Sequence, residues 1–426
     1  MAQAASEKPE NKNSAAFRYT IDGLLWGSAL AIATKTHNLF AARLGATDFQ
    51  LSLVQFLPQI LILFILIPGG LFADSLHNKQ RMAIAALITA ALGIFLCGMS
   101  PFAAGNSILF FLISLMLTGG AKALFNVAWQ SFFPEVVDVT CRNQVLTQRT
   151  RVTIMVSIVT PLLIGIVLTN IPQPDSKIIA HQGFYAGSVL LLILAAVNFR
   201  KFKSIQPAEP KRITLFGIKK AVKALLNNKP FAVFTGAALF FHMTWHIDWT
   251  LYFIGQYHYL GMNEIMLGLV LVGTTTAQLA TLKFWSRMNE RHGVILPFTF
   301  GILGLSLCPL SMIAAVSLPA FAGPYAFLAL HTVSHLSFAS ITLNLYQCLL
   351  HTADKEHRGF SMSVYATLIC LSNAIMPVIG IAIYHALGGD LNGFRTTFCI
   401  IFALRIAAAG LWLLSWKVLS RPQPLM

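Results

Sequence analysis

The chain alternates between long apolar runs and short polar intervals that are rich in Lys and Arg. Each run has roughly the twenty residues that an α-helix needs to cross the hydrocarbon core of a bilayer. Six runs precede a polar interval that begins near residue 200 and six follow it, which predicts twelve membrane-spanning helices. The predicted spans lie near residues 18–43, 49–73, 81–99, 107–131, 147–170, 182–199, 231–256, 264–286, 294–316, 323–350, 359–386 and 396–418.

Composition supports this interpretation. Of the 426 residues, 56% are hydrophobic and only 11% are charged, whereas a soluble domain carries about 25% charged residues. This excludes a soluble enzyme, a disordered tail protein and a secreted disulfide scaffold. The six cysteines show no CxxC spacing, so neither a disulfide framework nor a structural zinc is expected.

The net charge of +15 is mainly a topology signal. Of the 30 Lys and Arg residues, 24 fall in the tails and intervals that alternate onto one side of the membrane. By the positive-inside rule that side is the cytoplasm, so we expect both termini there, in the plasma membrane. A basic stripe on a polar domain is missing, and no nucleic-acid partner is expected.

The pattern divides the chain into five segments. They are a disordered cytoplasmic tail, a six-helix bundle, a cytoplasmic linker with a basic amphipathic helix, a second six-helix bundle and a short cytoplasmic tail. Their predicted bounds are 1–16, 17–200, 201–230, 231–420 and 421–426.

The two halves repeat each other at an offset of 216 residues. Scarce residue types coincide at this offset: Leu44-Gly45 with Leu260-Gly261, Asp48 with Glu264, Asp74 with Glu290, Asp138 with Asp354, Arg142 with Arg358, and Pro161 with Pro377. We therefore expect two six-helix copies in the same orientation, related by an axis along the membrane normal.

Two loops, after the second and eighth spans, carry related motifs. Residues 70–79 read GLFADSLHNK, with Gly70 and Asp74 four positions apart, and residues 286–293 read SRMNERHG around Glu290. This pattern resembles the loop motif of the major facilitator superfamily of secondary transporters. It departs from the family in the first copy, where a basic residue and a second Gly are usual, and in the second copy, which lacks the first Gly.

The resemblance implies an all-α integral membrane fold of twelve helices in two six-helix repeats. It also implies that spans one, four, seven and ten line a central cavity, and that Asp74 with Arg142 and Glu290 with Arg358 act as cytoplasmic latches. The implied gating residues are Gly70, Asp74, Arg142, Glu290, Arg291 and Arg358. We expect a monomer in the lipid bilayer, with a small-molecule substrate and protons as partners and with no cofactor.

Ionisable residues within apolar spans are functional candidates, because each costs about 2.5–3.5 kcal/mol to insert at the bilayer centre. Eight such residues stand out: Lys35, Lys122, His242, His246, Asp248, His331, His335 and Arg405. All but Arg405 fall on the four spans that the resemblance places around the cavity. Asn126 and Trp129 share a helix face with Lys122, and Trp245 and Trp249 lie near the histidines of span seven.

Three interpretations of this set remain open. In the first, Lys35 and Lys122 bind an anion, the histidines and tryptophans complete the substrate site, and Asp248, His246 and secondarily Asp22 carry the coupling proton. In the second, the His pairs of spans seven and ten ligate a metal. No carboxylate or Cys shares their helix face, and we expect no metal. In the third, the groups only join helices through hydrogen bonds.

The sequence contains no GxxxxGK[ST] loop and no catalytic Ser or Cys constellation, so we expect neither an ATP-driven pump nor an enzyme. The favoured function is a proton-coupled secondary transporter of a small organic anion that works by alternating access. One alternative is a proton-antiport exporter of amphipathic drugs or lipids. Another is a transporter-like sensor that binds solute without moving it.

Overall fold

A computed structural model describes most of the chain. The described residues are 12–75, 78–103, 105–137, 141–202, 223, 225, 227–353 and 358–419. Within these ranges, the description of side chains excludes residues 12–16, 66–75, 143, 358–360 and 416–417. This part of the chain consists of helices and turns, and no β-strand occurs in it.

The helices follow the apolar runs. They are α1 Lys12–Thr34, α2 His37–Arg43, α3 Asp48–Ser75, α4 Lys79–Met99, α5 Ser107–Val136, α6 Arg142–Thr169, α7 Pro174–Phe199, α8 Lys229–His246, α9 Trp249–Ile254, α10 Glu264–His292, α11 Ile295–Val316, α12 Gly323–Ser334, α13 Phe338–Thr352, α14 Arg358–Ala386 and α15 Leu391–Leu419. Polar caps begin several of them: Asn78, Asn228 and Asn263 each accept a hydrogen bond from a backbone N–H of the following first turn.

Ten of the twelve predicted spans are helical stretches long and apolar enough to cross a membrane. Among the described residues, the other two are the predicted spans one and seven. Each of these is a helix pair, α1 with α2 and α8 with α9, interrupted by polar residues in mid-span. α1 contains Arg18, Asp22 and a polar start, and α8 contains Lys229, His242 and His246, which lower the mean hydropathy of these two helices.

Three spans break at candidate site residues. Lys35 and Thr36 separate α1 from α2, Ile247 and Asp248 separate α8 from α9, and a 3₁₀ turn that starts at His335 separates α12 from α13. Just after α9, a π-helical turn spans Gly255–Tyr259. Irregular backbone of this kind is tolerated at membrane depth where it is covered by protein or lines a cavity.

The Cα positions divide the chain into two compact units. The first comprises residues 1–44, 64–161 and 173–212. Its core is aromatic: the rings of Trp26 and Phe125 lie 4.3 Å apart, and Phe125 contacts Phe199 at 5.8 Å. Gly93 on α4 permits the close approach of α5, because a Cβ there would lie 2.5 Å from the hydroxyl of Thr118.

The second unit comprises residues 45–63, 162–172 and 213–426. Its core packs Trp412 of α15 edge-on against Phe298 of α11, with a centroid distance of 4.3 Å, and also against Phe234 of α8. In both units large apolar side chains face outward, such as Leu92, Phe321 and Leu414. An outward apolar surface is expected of a membrane protein.

The repeat is visible in local backbone conformation. Gly45 and Gly261, which coincide at the 216-residue offset, both adopt positive φ angles, 84° and 57°. Each lies three residues before the start of a long helix, at Asp48 and Glu264 respectively. A left-handed residue is favourable only for glycine, so the sequence match reports the same turn in each copy.

The described residues cover only some of the predicted segments. Helix α1 already begins at Lys12, so residues 12–16 are helical where a disordered tail was expected; Ala15 and Ala16 favour a helix. Most of the predicted amphipathic helix in the linker, and the tail at 421–426, lie outside the described residues.

Candidate functional site

In the first unit, a basic cluster forms around the break between α1 and α2. The side chain of Lys35 is exposed at the break, and Lys122, on α5, is half-buried. Lys122 interacts electrostatically with Lys35 and with His37. The shared anion site of the two lysines stays a prediction.

His37 and its neighbour Asn38 add polar atoms to this cluster. The Nε2 atom of His37 and the Oδ1 atom of Asn38 are buried without a hydrogen-bond partner among the described residues. The hydroxyl of Thr36 instead caps the end of α1, at 3.2 Å from the carbonyl of Ile32. Sequence reasoning missed His37, although it lies only two residues after Lys35.

The residues predicted to share a face of α5 with Lys122 lie in different surroundings. Asn126 is exposed, whereas Trp129 packs inside the unit, stacked on Phe133 at 5.1 Å. The guanidinium of Arg149 lies over the Trp129 ring, 4.3 Å from its centroid, a cation–π contact. Trp129 therefore contacts Arg149 and Phe133, and its part in the substrate site stays a prediction.

Asp22 belongs to the same group as Trp129. Its carboxylate is fully buried and lies 3.0 Å from the Nε atom of Arg149 on α6. Gly23 and Gly27 bring α1 against α6, since a Cβ at Gly23 would lie 2.7 Å from the side chain of Arg149. The pair of glycines four residues apart, directly after a buried acid, is the sequence signal that predicts this contact.

In the second unit, Asp248 forms a buried ion pair with Arg405 of α15. The Oδ2 and Nη2 atoms are 2.6 Å apart, and Asp248 and Arg405 are 0% and 1% exposed. Arg405 also donates to the carbonyls of Leu305, at 2.8 Å, and Thr244, at 3.3 Å. Asp248 thus joins the break between α8 and α9 to α15, a contact of the kind that the third interpretation describes. Its partner, Arg405, is the one ionisable span residue that the sequence analysis left outside the predicted site.

The histidines of α8 face α14. The Nε2 atom of His242 lies 3.3 Å from the hydroxyl of Tyr365, and the Nδ1 atom of His246 lies 3.1 Å from the hydroxyl of Ser372. Trp249 packs edge-on against His246, with 4.7 Å between ring centroids. Trp245 contacts Phe338 at 5.0 Å. These residues form one polar and aromatic layer.

His331 of α12 and His335, which starts the following 3₁₀ turn, form a separate cluster facing α11. Their rings are tilted by 53° with 4.5 Å between centroids, and the Sγ atom of Cys308 lies 3.7 Å from Nδ1 of His335. Donor atoms of the three residues all lie within 4.8 Å of one another. The sequence shows no Cys on the helix face of these histidines. The fold nevertheless brings one from another helix, which corrects the expectation that the His pair lacks a third metal-ligating side chain.

The chain is matched twice by the sequence family described as Major Facilitator Superfamily, over residues 14–259 and again over residues 246–425. It belongs to the major facilitator superfamily. No curated protein matches the chain in sequence. Membership confirms the predicted fold class and indicates a membrane transporter rather than an enzyme.

Solved structures agree with this fold. A bacterial homologue of the human lysosomal transporter Spinster is 13% identical and has a TM-score of 0.72, covering 98% of this chain and 100% of its own. The nucleoside transporter NupG is 11% identical at a TM-score of 0.72, covering 96% and 100%. A bacterial homologue of the iron transporter ferroportin is 13% identical at 0.74, covering 97% and 100%. At such identities the likeness concerns the fold alone.

The superfamily motif residues are only partly described. The side chains of Gly70, Asp74 and Arg358 lie outside the described residues. Arg142 donates to the carbonyls of Val137, at 3.0 Å, and Pro134, at 2.9 Å, and so binds the C-terminal end of α5. Glu290 and Arg291 are exposed in the last turn of α10. The two latches therefore stay predictions.

Two other sets of contacts were not predicted. Lys79, at the start of α4, forms a buried ion pair with Glu135 of α5 at 2.6 Å. In the second unit, Asp48 lies 3.6 Å from His385, and the hydroxyl of Thr169 donates to Glu264 at 3.2 Å. Both partners of these two contacts coincide at the 216-residue offset, so the repeat has duplicated an interhelical contact.

Proposed function

We propose that this transporter moves a small organic anion by proton-coupled alternating access, and that Lys35 and Lys122 bind the anion. The observation that carries the proposal is the charge of the basic cluster. In the described part of the chain, neither amine has an acidic partner, and Lys122 interacts electrostatically with Lys35 and with His37. An ammonium group within an apolar span is stabilised by a compensating negative charge, and a bound anion would supply that charge to Lys35 and Lys122.

The ion pairs formed by buried acidic residues support this assignment. Three buried acids among the described residues are each paired with a base: Asp22 with Arg149, Glu135 with Lys79, and Asp248 with Arg405. In each pair the base neutralises the acid inside the protein. These three carboxylates are therefore not available to neutralise the charges of Lys35 and Lys122.

The surroundings of the cluster favour an organic solute over a simple inorganic ion. His37 and Asn38 hold buried polar atoms that can hydrogen-bond hydroxyl or carbonyl groups of a solute. Phe111 lies beside the His37 ring, with 5.9 Å between centroids, and provides an apolar wall. A few polar groups among apolar surfaces are typical of small-molecule sites.

We propose that the proton pathway uses Asp248, with His246 and Asp22 as further proton-carrying groups. Protonation of Asp248 would remove the negative partner of Arg405 and so loosen the contact between α8 and α15. A group that changes helix packing when it takes up a proton is suited to couple a gradient to a conformational change. The positive charge of the intervals further supports cytoplasmic termini in a plasma membrane.

Transport in proteoliposomes tests the anion site. A thermal-shift panel of carboxylates, phosphate esters, sugars, metals and amphipathic drugs first identifies a stabilising solute. We then expect Lys122→Ala to lower uptake of the stabilising anion at least about thirtyfold, because truncating a charged partner costs about 2–5 kcal/mol. Lys122→Arg should keep part of the uptake, and Lys35→Leu should weaken it less.

The control is Lys229→Ala, which removes an exposed lysine at the start of α8. Unchanged uptake and apparent affinity in Lys122→Ala would refute the anion site. Stabilisation by drugs together with proton-driven efflux would favour the exporter. Anion binding without flux at any pH gradient would favour the sensor.

A further inference from the structure

The cluster of Cys308, His331 and His335 has the composition and the hydrogen bonding of a metal site. We infer that these three residues bind a divalent transition-metal ion of the zinc class. The inference concerns the second unit alone and is independent of the proposed anion site. It also differs from the expectation of the sequence analysis, in which the histidines had no third ligand.

The first observation is the donor set. One thiol and two imidazoles form a three-ligand set of the kind that holds zinc while leaving a fourth position open. Their donor atoms lie within 4.8 Å of one another, and tetrahedral coordination at ordinary bond lengths requires separations of about 3.3–3.6 Å. Side-chain rotations that shorten these separations complete the site.

The second observation is the tautomer of each histidine. The Nδ1 atom of His335 lies 2.9 Å from the backbone carbonyl of His331, and a carbonyl can only accept, so this nitrogen carries the proton. Ser311 donates its hydroxyl proton to the carbonyl of Cys308 at 2.6 Å and therefore accepts from Nδ1 of His331 at 3.3 Å. Both rings keep a lone pair on Nε2.

This arrangement is the one that metal-binding histidines use. Such a histidine usually donates its second ring N–H to a carbonyl, carboxylate or other polar group, which orients the ring and raises its basicity. Here Ser311 and the His331 carbonyl play that part. Phe327 stacks on the His331 ring at 4.6 Å and restricts its rotation further.

The third observation is that the cluster is buried and that the charged group near it is already paired. Cys308 and His331 are 2% and 7% exposed. Arg405 is close, but Asp248 pairs with it, and the thiolate formed on binding offsets one charge of the ion. By contrast, His242 and His246 contact hydroxyl groups of α14, and no third thiol, imidazole or carboxylate joins them within the described part of the chain.

Cobalt binding tests the inference on the purified, reduced full-length protein in detergent. Co²⁺ should bind one ion per chain, with the thiolate-to-metal absorption band and the visible bands of tetrahedral cobalt, and Zn²⁺ should abolish both. Cys308→Ser should remove the thiolate band, whereas Cys348→Ser, which changes another buried cysteine, should keep it. His331→Gln or His335→Gln should weaken binding at least tenfold, and the control His242→Gln should not.

Ser311→Ala distinguishes a metal site from a structural cluster. Loss of such an orienting partner weakens metal affinity about 10–100-fold, while the absorption bands of the saturated site should stay the same. X-ray absorption of the zinc-loaded wild-type protein needs no variant and should show one sulfur near 2.3 Å and nitrogens near 2.0–2.1 Å. Absence of bound metal, a shell of oxygen and nitrogen alone, or a thiolate band unchanged in Cys308→Ser would each overturn the inference.

Discussion

The two sequence halves repeat the same features at helix ends but differ in the chemistry of their spans. Features at helix ends recur at the 216-residue offset: Gly45 with Gly261, and the contact of Asp48 and His385 with that of Glu264 and Thr169. The ionisable groups within the spans do not recur. Lys35 corresponds to Leu251 and Lys122 to Phe338, and in the other direction Asp248 corresponds to Ile32, His331 to Leu115 and Arg405 to Val189.

This difference separates what the fold needs from what the solute needs. Turns and interhelical contacts serve both copies, so both retain them. Charges buried in apolar spans cost free energy in each copy, and each half carries its own set: a basic cluster without an acidic partner among the described residues in the first, an ion pair and a sulfur–imidazole cluster in the second. Mutations in one half should therefore have consequences that the equivalent position in the other lacks.

The largest expected effect is on the stability of the second unit. Arg405→Leu leaves Asp248 buried without its partner, which costs about 3–5 kcal/mol, and Asp248→Leu costs a similar amount for the converse reason. The double variant should recover much of the loss, because it leaves no unpaired charge. Denaturant unfolding in detergent measures all three. Additive losses in the double variant would show that the pair is not coupled as its 2.6 Å contact indicates.

An intermediate effect is expected in the first unit, at the contact of α1 with α6. Gly23→Ala places a Cβ 2.7 Å from the side chain of Arg149 and 3.1 Å from its backbone carbonyl, and should destabilise by about 1–3 kcal/mol. The matched control is Gly187→Ala on α7, where a Cβ meets nothing within 4 Å. That change should be neutral or slightly stabilising. Equal thermal stability of the two variants would contradict the close packing of Asp22 and Arg149.

The smallest effect is expected at the duplicated contact. His385 and Asp48 are partly exposed, with side-chain exposures of 51% and 27%. Exposed ion pairs contribute about 0–1 kcal/mol and are screened by salt. Asp48→Asn should therefore change unfolding by less than about 1 kcal/mol, and by less still at high salt. A loss above 2 kcal/mol would mean that this contact is essential to the unit.

The fold was predictable to a large degree because apolar length and charge distribution are one-dimensional signals. The predicted spans and the repeat follow from them, whereas the grouping of Lys35 with Lys122 was implied by the family resemblance. The partners of Asp22, Asp248 and His335 do not, because each lies on a helix distant in sequence. Periodicity reports which face of a helix a residue occupies, and it does not report which helix faces it.

Local sequence signals could have predicted some of these partners. The glycines that follow Asp22 indicate a close helix contact, and a single Arg deep in span twelve requires an acid, of which span seven offers one. Nothing in the spacing of Cys308 predicts its approach to His335, since a lone cysteine in an apolar run is indistinguishable from a small core residue.

The broken helices also divide the backbone macrodipoles of the spans. Lys35 comes directly after the C-terminal end of α1, where the unsatisfied carbonyls carry a partial negative charge that offsets its ammonium by about 0.3–1 kcal/mol. Lys122 lies in the middle of the unbroken α5 and has no such compensation. The charge of Lys122 is therefore the less favourable of the two, and a bound anion should relieve more free energy there than at Lys35.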